Sequence, residues 1–117
     1  MKLGDLINSL ESLRVLSVKA VPAATAFTLG RVIKAAGEHE KTFNEARQKM
    51  FDLYGVPVEG TEQVRISDEH MGTFKQEMED LLAVEIDLGD AHINISGLGS
   101  VEIEARHLMN LEWLIKG

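Results

Sequence analysis

The chain has 117 residues, of which 44% are apolar and 26% charged, and it has no cysteine. It is long enough to fold as one soluble domain around its own core, and disulfide scaffolds, thiol catalysis, thiolate zinc sites and iron–sulfur clusters are excluded. A net charge of −7 with no basic cluster argues against direct nucleic-acid binding, and no apolar run reaches the roughly 18 residues of a membrane span.

In chain order, the first expected element is a helix over residues 5–18. Asp5 is a fair cap, and Leu6, Leu10 and Leu13 follow at helical spacing, widened by Ile7 and Leu16. Val21-Pro22 interrupts the pattern, and Pro22 can open a second helix at its first turn.

That second pattern is the longest in the chain, from Pro22 to about Tyr54. Phe27, Leu29, Ile33 and Ala36 form one apolar stretch, and Phe43, Ala46, Met50, Leu53 and Tyr54 form another. Gly55 stands where a left-handed cap belongs, and Val56-Pro57 follows it. Between the stretches, Gly37 to Thr42 supplies no apolar residue where one is due near 39 or 40. The helix either runs on with a polar turn or breaks at Gly37 into a helical hairpin. The helix formers in the gap favour continuity, since one glycine costs only about 1 kcal/mol. Unbroken, it would be roughly 50 Å long and overhang a compact domain of this size.

The second half alternates. Gln63–Ile66 reads as a short strand. Ser67 or Asp68 is expected to cap a third helix with Met71, Phe74, Met78, Leu81 and Leu82 on one face. Val84, Ile86 and Leu88 then read as a half-buried strand, Ile93 and Ile95 as another, and Val101 and Ile103 as the end of a further one. A last helix, about Ala105 to Ile115, carries Leu108, Leu111 and Ile115. The expected fold is therefore a mainly helical α+β single domain over 1–117. In it a long helix or hairpin packs on a small antiparallel sheet with two further helices.

The charge is uneven. Residues 1–55 sum to +2 and residues 56–117 to −9, and between Glu59 and Asp90 ten acids meet only Arg65 and Lys75. Such a stretch is a solvated face, or a surface that docks on a basic protein. Glu69, Glu77, Glu79 and Asp80 are its candidate contact residues.

Motifs for chemistry are missing. There is no phosphate loop, no dinucleotide fingerprint after Gly97-Leu-Gly99, no H-E-x-x-H and no G-x-S-x-G. His39 between Glu38 and Glu40 is read as an exposed helix residue, and His70 and His107 as helix-surface or boundary residues. His92 near Asp87 and Asp90 lacks calcium-loop spacing. No catalytic residue, metal or cofactor is expected, and the protein is read as non-enzymatic. Met50, Met71, Met78 and Met109 fall on apolar helix faces, as core filler or as an adaptable binding groove. Trp113 is read at the edge of the core, where it is partly buried or an interface anchor.

Ala46-Arg-Gln-Lys-Met-Phe-Asp-Leu-Tyr-Gly55 resembles a segment of small proteins from tailed phages and prophages. In those a long helix with an E-A-R-x-K-L-like stretch ends at Tyr-Gly. A short strand and an acidic helix closing in an E-x-E-x-L-L-like motif follow. Phe74–Leu82, Val84–Ile86 and Leu108–Ile115 are similar in order, so the likeness covers about residues 20–115 as a layout. It implies a phage accessory or virion-related protein, with no enzymatic activity to carry over. The expected function is protein–protein binding in the host cytoplasm or the virion, with a virion or host protein as partner and a homo-oligomer as a further option. The alternative is an acidic inhibitor of a host nucleic-acid-handling or defence enzyme, meeting a basic groove through residues 59–90.

Overall fold

Buried apolar residues on both sides of the polar turn carry Ala23–Tyr54 as a single 32-residue helix, α2, in the computed structural model, which describes residues 1–117. Leu29, Ala36, Phe43 and Met50 recur every seven residues and are buried, with Val32 between the first two. A strict heptad keeps one seam facing inward along the whole length. The helix does not break at Gly37, where a methyl group would meet nothing within 4 Å. The polar turn is tied down instead. Arg14 Nη2 donates to Glu40 Oε2 at 2.8 Å, and His39 Nε2 donates to the Asp87 carbonyl at 3.3 Å. At a rise of about 1.5 Å per residue α2 is about 48 Å long, close to the 51 Å long dimension of the molecule.

The helix stops at Gly55, but not through a left-handed cap. Gly55 has φ −81° and ψ 149°, so it is extended and opens strand β1, Gly55–Pro57. Glycine is needed there for space. A Cβ would collide with the Phe51 carbonyl oxygen and with the Val64 side chain. Strand β1 pairs antiparallel with β2, Val64–Ile66, with Gly55 opposite Ile66 and Pro57 opposite Val64.

A turn over Ser67–His70 separates β2 from helix α3, Met71–Leu82. His70 occupies the cap position, so neither Ser67 nor Asp68 caps the helix as expected. The Ser67 hydroxyl oxygen is buried and has no hydrogen-bond partner. An unmade buried hydrogen bond costs about 1–3 kcal/mol. Ser67→Ala should therefore raise stability by about 1 kcal/mol in urea unfolding; a loss of stability would mean that the hydroxyl is satisfied in solution.

Helix α1, Leu3–Ser17, starts before Asp5, which lies in its first turn rather than at its cap. Its charge still suits the positive end of the helix dipole. The main core joins Leu6, Leu13 and Leu16 of α1 to Leu29, Val32 and Ala36 of α2 and to Ile93, Leu98, Leu111 and Leu114.

The C-terminal third departs most from expectation. Residues 84–88 are not a strand; they make one bridge, Lys2 with Glu85, while the Ile86 amide donates to the Met1 carbonyl and the Leu3 amide to that of Val84, each at 2.8 Å. The alternation there covers the start of α1. Strand β3 is only Ile93–Asn94, and Ile95–Leu98 forms a 3-10 turn. Residues 101–103 are irregular. The last helix, α4, covers only Ala105–Asn110, and strand β4, Ile115–Lys116, pairs in parallel with β3. A parallel pair was not expected beside the antiparallel one.

The architecture is mainly helical, with four helices and a small antiparallel sheet. Burial is lopsided. Beyond the main core, the C-terminal half of α2 and β2 bury only Phe43, Met50 and Ile66, and α3 buries no residue fully. The radius of gyration is 17.6 Å, against about 13 Å for a compact chain of this length.

Candidate protein-binding surfaces

The four acidic candidates lie on or just before α3. Glu69 precedes its first turn, and Glu77, Glu79 and Asp80 lie in its second half. At about 100° per residue these acids spread around the helix rather than along one stripe. Glu69 and Glu79 are exposed, and Asp80 accepts from Gln76 Nε2 at 2.9 Å. Glu77 is different. It is half-buried and accepts the Tyr54 hydroxyl at 2.8 Å, a contact that ties α3 to the end of α2. Phe51 and Phe74 meet beside it with ring centres 5.5 Å apart. Glu77 thus fastens the fold, leaving Glu69, Glu79 and Asp80 as the outward acids.

The Glu77 hydrogen bond, with smaller contributions from burial and charge, raises the Tyr54 pKa above its ordinary value. Tyr54 is the only tyrosine, so a phenolate absorbance titration reads it directly. The native protein should titrate at higher pH than the unfolded chain. The stabilisation is present below the unfolded tyrosine pKa, about 10, and is lost as pH rises through the native value. Glu77→Gln should bring the native titration down; an unchanged curve would show that the contact is not made in solution.

Trp113 does not join the acidic candidates. It lies in the turn between α4 and β4 and is partly buried, with Nε1 donating to Ser9 Oγ at 3.0 Å. Ser9 belongs to a polar seam between α1 and α4. Its hydroxyl lies 2.7 Å from the Asp5 carbonyl and 2.9 Å from that of Asn110. Asn110 Nδ2 donates to Ser12 Oγ at 3.2 Å, and Ser12 Oγ lies 2.8 Å from His107 Nδ1. His107 is buried, contrary to its reading as a surface or boundary residue. Its signal was its spacing, since His107, Leu111 and Leu114 all stand on the buried side of the chain's end.

A serine hydroxyl on a histidine nitrogen has the parts of an activated nucleophile. Here Ser12 is 0% exposed, between two packed helices, and cannot reach a substrate. The pair locks α1 to α4. His92 Nδ1 donates to the Asp90 carbonyl at 2.7 Å, and no three His, Asp or Glu side chains gather at metal-binding distance. Met50 is core, Met71 and Met78 are half-buried, and Met109 is 68% exposed.

Beside the polar seam lies an open groove of about 410 Å³ between α1 and the α4–β4 turn. Met1, Met109 and Trp113 give it apolar walls, and it takes Asp5 from α1 and Glu112 from the turn. No family model, curated protein or solved structure matches the chain.

Proposed function

We propose that this chain is a non-enzymatic, phage-encoded accessory or assembly protein that acts by binding another protein. The observation that carries the binding role is exposed area. The chain leaves 7,897 Å² accessible, whereas a compact monomer of this mass exposes about 6,300 Å². The excess, about 1,600 Å², is about twice what one partner contributes to a standard interface. The phage origin is supported by the likeness of residues 46–55 and 74–82 to segments of small tailed-phage proteins.

A second reading has its own observation. Residues 43–85 carry ten acids against four bases, −6 of the chain's −7. The least buried part of the molecule is thus also its most acidic, as suits an inhibitor that occupies the basic groove of a host nucleic-acid-handling or defence enzyme.

One experiment separates the two. Tagged protein is used to capture partners from host lysate, and purified virions are searched for the untagged chain, both by mass spectrometry. Presence in virions, with virion proteins or itself recovered, supports the assembly role. Capture of one basic host enzyme, lost in Glu79→Lys/Asp80→Lys and weakened steeply by salt, supports the inhibitor. A monomer that captures nothing and is absent from virions overturns both.

A further inference from the structure

The groove between α1 and the α4–β4 turn has a chemistry that selects its occupant. Its lining holds two carboxylates, Asp5 and Glu112, and no lysine or arginine. Neither carboxylate takes part in any of the chain's ion pairs or side-chain hydrogen bonds. Lys116 spends its ammonium on the Glu112 main-chain carbonyl at 3.0 Å, and the Met1 ammonium pairs with Glu85 at 3.1 Å. Trp113 lines the groove with them, its indole held by Ser9. Met109 flanks it, a flexible apolar side chain largely open to solvent.

We propose that this groove binds an arginine-bearing segment of a partner protein. The inference rests on the protein-binding reading and names the chemistry of one contact. A guanidinium fits both demands of the site. Its plane stacks on an indole while its fork of N–H donors reaches a carboxylate. A neighbouring aliphatic side chain of the segment covers Met109, which adapts to its shape. The Asn8 amide on the lining supplies a donor and an acceptor for the segment's backbone. Ser9, Asn110 and Trp113 of the lining are already held by hydrogen bonds, so little of their side-chain freedom is lost on binding. A second copy presenting this same acidic groove is disfavoured by like charge.

The test uses the full chain and a displayed library of random peptides. Selected sequences should carry arginine beside leucine, methionine or an aromatic residue. Trp113 is the only tryptophan, so binding of a synthetic selected peptide should change intrinsic fluorescence. Glu112→Gln with Met109→Ser should weaken that peptide about tenfold, the loss of roughly 1.4 kcal/mol. Both side chains are exposed, so the variant should keep the wild-type circular dichroism spectrum. Glu79→Gln with Asp80→Asn should leave the affinity unchanged. Peptides without basic residues, or affinity indifferent to the Glu112 and Met109 changes, overturn the groove assignment. Peptides that depend on Glu79 and Asp80 would do so while leaving the protein-binding reading standing. A library that yields no binder at all counts against both.

Discussion

Leu6→Ala should lower unfolding free energy by about 3 kcal/mol and the melting temperature by about 10 °C. Leu6 is 0% exposed and lies within the main core. The substitution removes buried methyl groups and leaves a cavity whose walls are two helices already fixed by other contacts. Ser9 and Ser12, one turn and two turns further along α1, hold their bonds to the α4 end of the chain, so α1 cannot slide to fill the gap. Urea unfolding followed by circular dichroism measures the loss. A cost under about 1 kcal/mol would show that the core collapses around the cavity, and hence that the polar seam is weaker than its geometry.

Gly55→Ala should cost about 2 kcal/mol by a different route. The backbone at Gly55 is extended, so the penalty is steric and not conformational. The new methyl group meets a main-chain oxygen of α2 and the Val64 side chain, and only the latter can move aside. Relief requires β2 to lift from β1, which loosens the path into α3. Hydrogen exchange should therefore speed at Val64–Ile66 and in α3 more than in α1. Uniform acceleration across α1 and α3 would refute the local origin of the cost. With Leu6→Ala, the pair tests whether the two ends of the molecule open separately.

The same contrast explains what could be read from the sequence. The extent of α2 was legible because its signals are local: Pro22 at the start, helix formers across the polar gap, and Gly55-Val56-Pro57 at the end. The reason Gly55 is glycine was not legible, because the atoms that crowd it come from Phe51 and Val64 after folding. Alternation at Val84, Ile86 and Leu88 predicts one covered face, and Ile86 and Leu88 do pack on the core. No neighbouring strand is available to pair with them, so the segment is extended without becoming a sheet. The helical stripe of Leu108, Leu111 and Ile115 predicts a longer last helix than the chain forms. The chain instead turns after Asn110, and Ile115 joins Ile93 in a parallel pair. The spacing of Trp113 off the apolar stripe predicts a core-edge position, and it is partly buried against the core. Its hydrogen bond to Ser9 spans 104 residues and leaves no trace in local pattern. In sequence Glu77 is indistinguishable from its acidic neighbours, and only its meeting with Tyr54 sets it apart.

The uninterrupted α2 makes the molecule a phased rod. Each residue added to a helix advances it by about 1.5 Å and turns it by about 100°. The main core grips α2 near Leu29–Ala36, and α3 with the hairpin grips it near Met50–Tyr54. Removing one residue from the turn between them, such as Gly37, would rotate the α2 face that grips α3 by about 100°, against the Leu3–Val84 and Met1–Ile86 hydrogen bonds that tie the end of α3 to α1. Where α3 follows α2, its outward acids would then point elsewhere relative to the Trp113 groove. Inserting seven residues would restore the azimuth and only lengthen the span, by about 10 Å. Any partner that touches both surfaces at once would thus read the helix as a ruler with an angular scale, tolerant of whole heptads and intolerant of single steps.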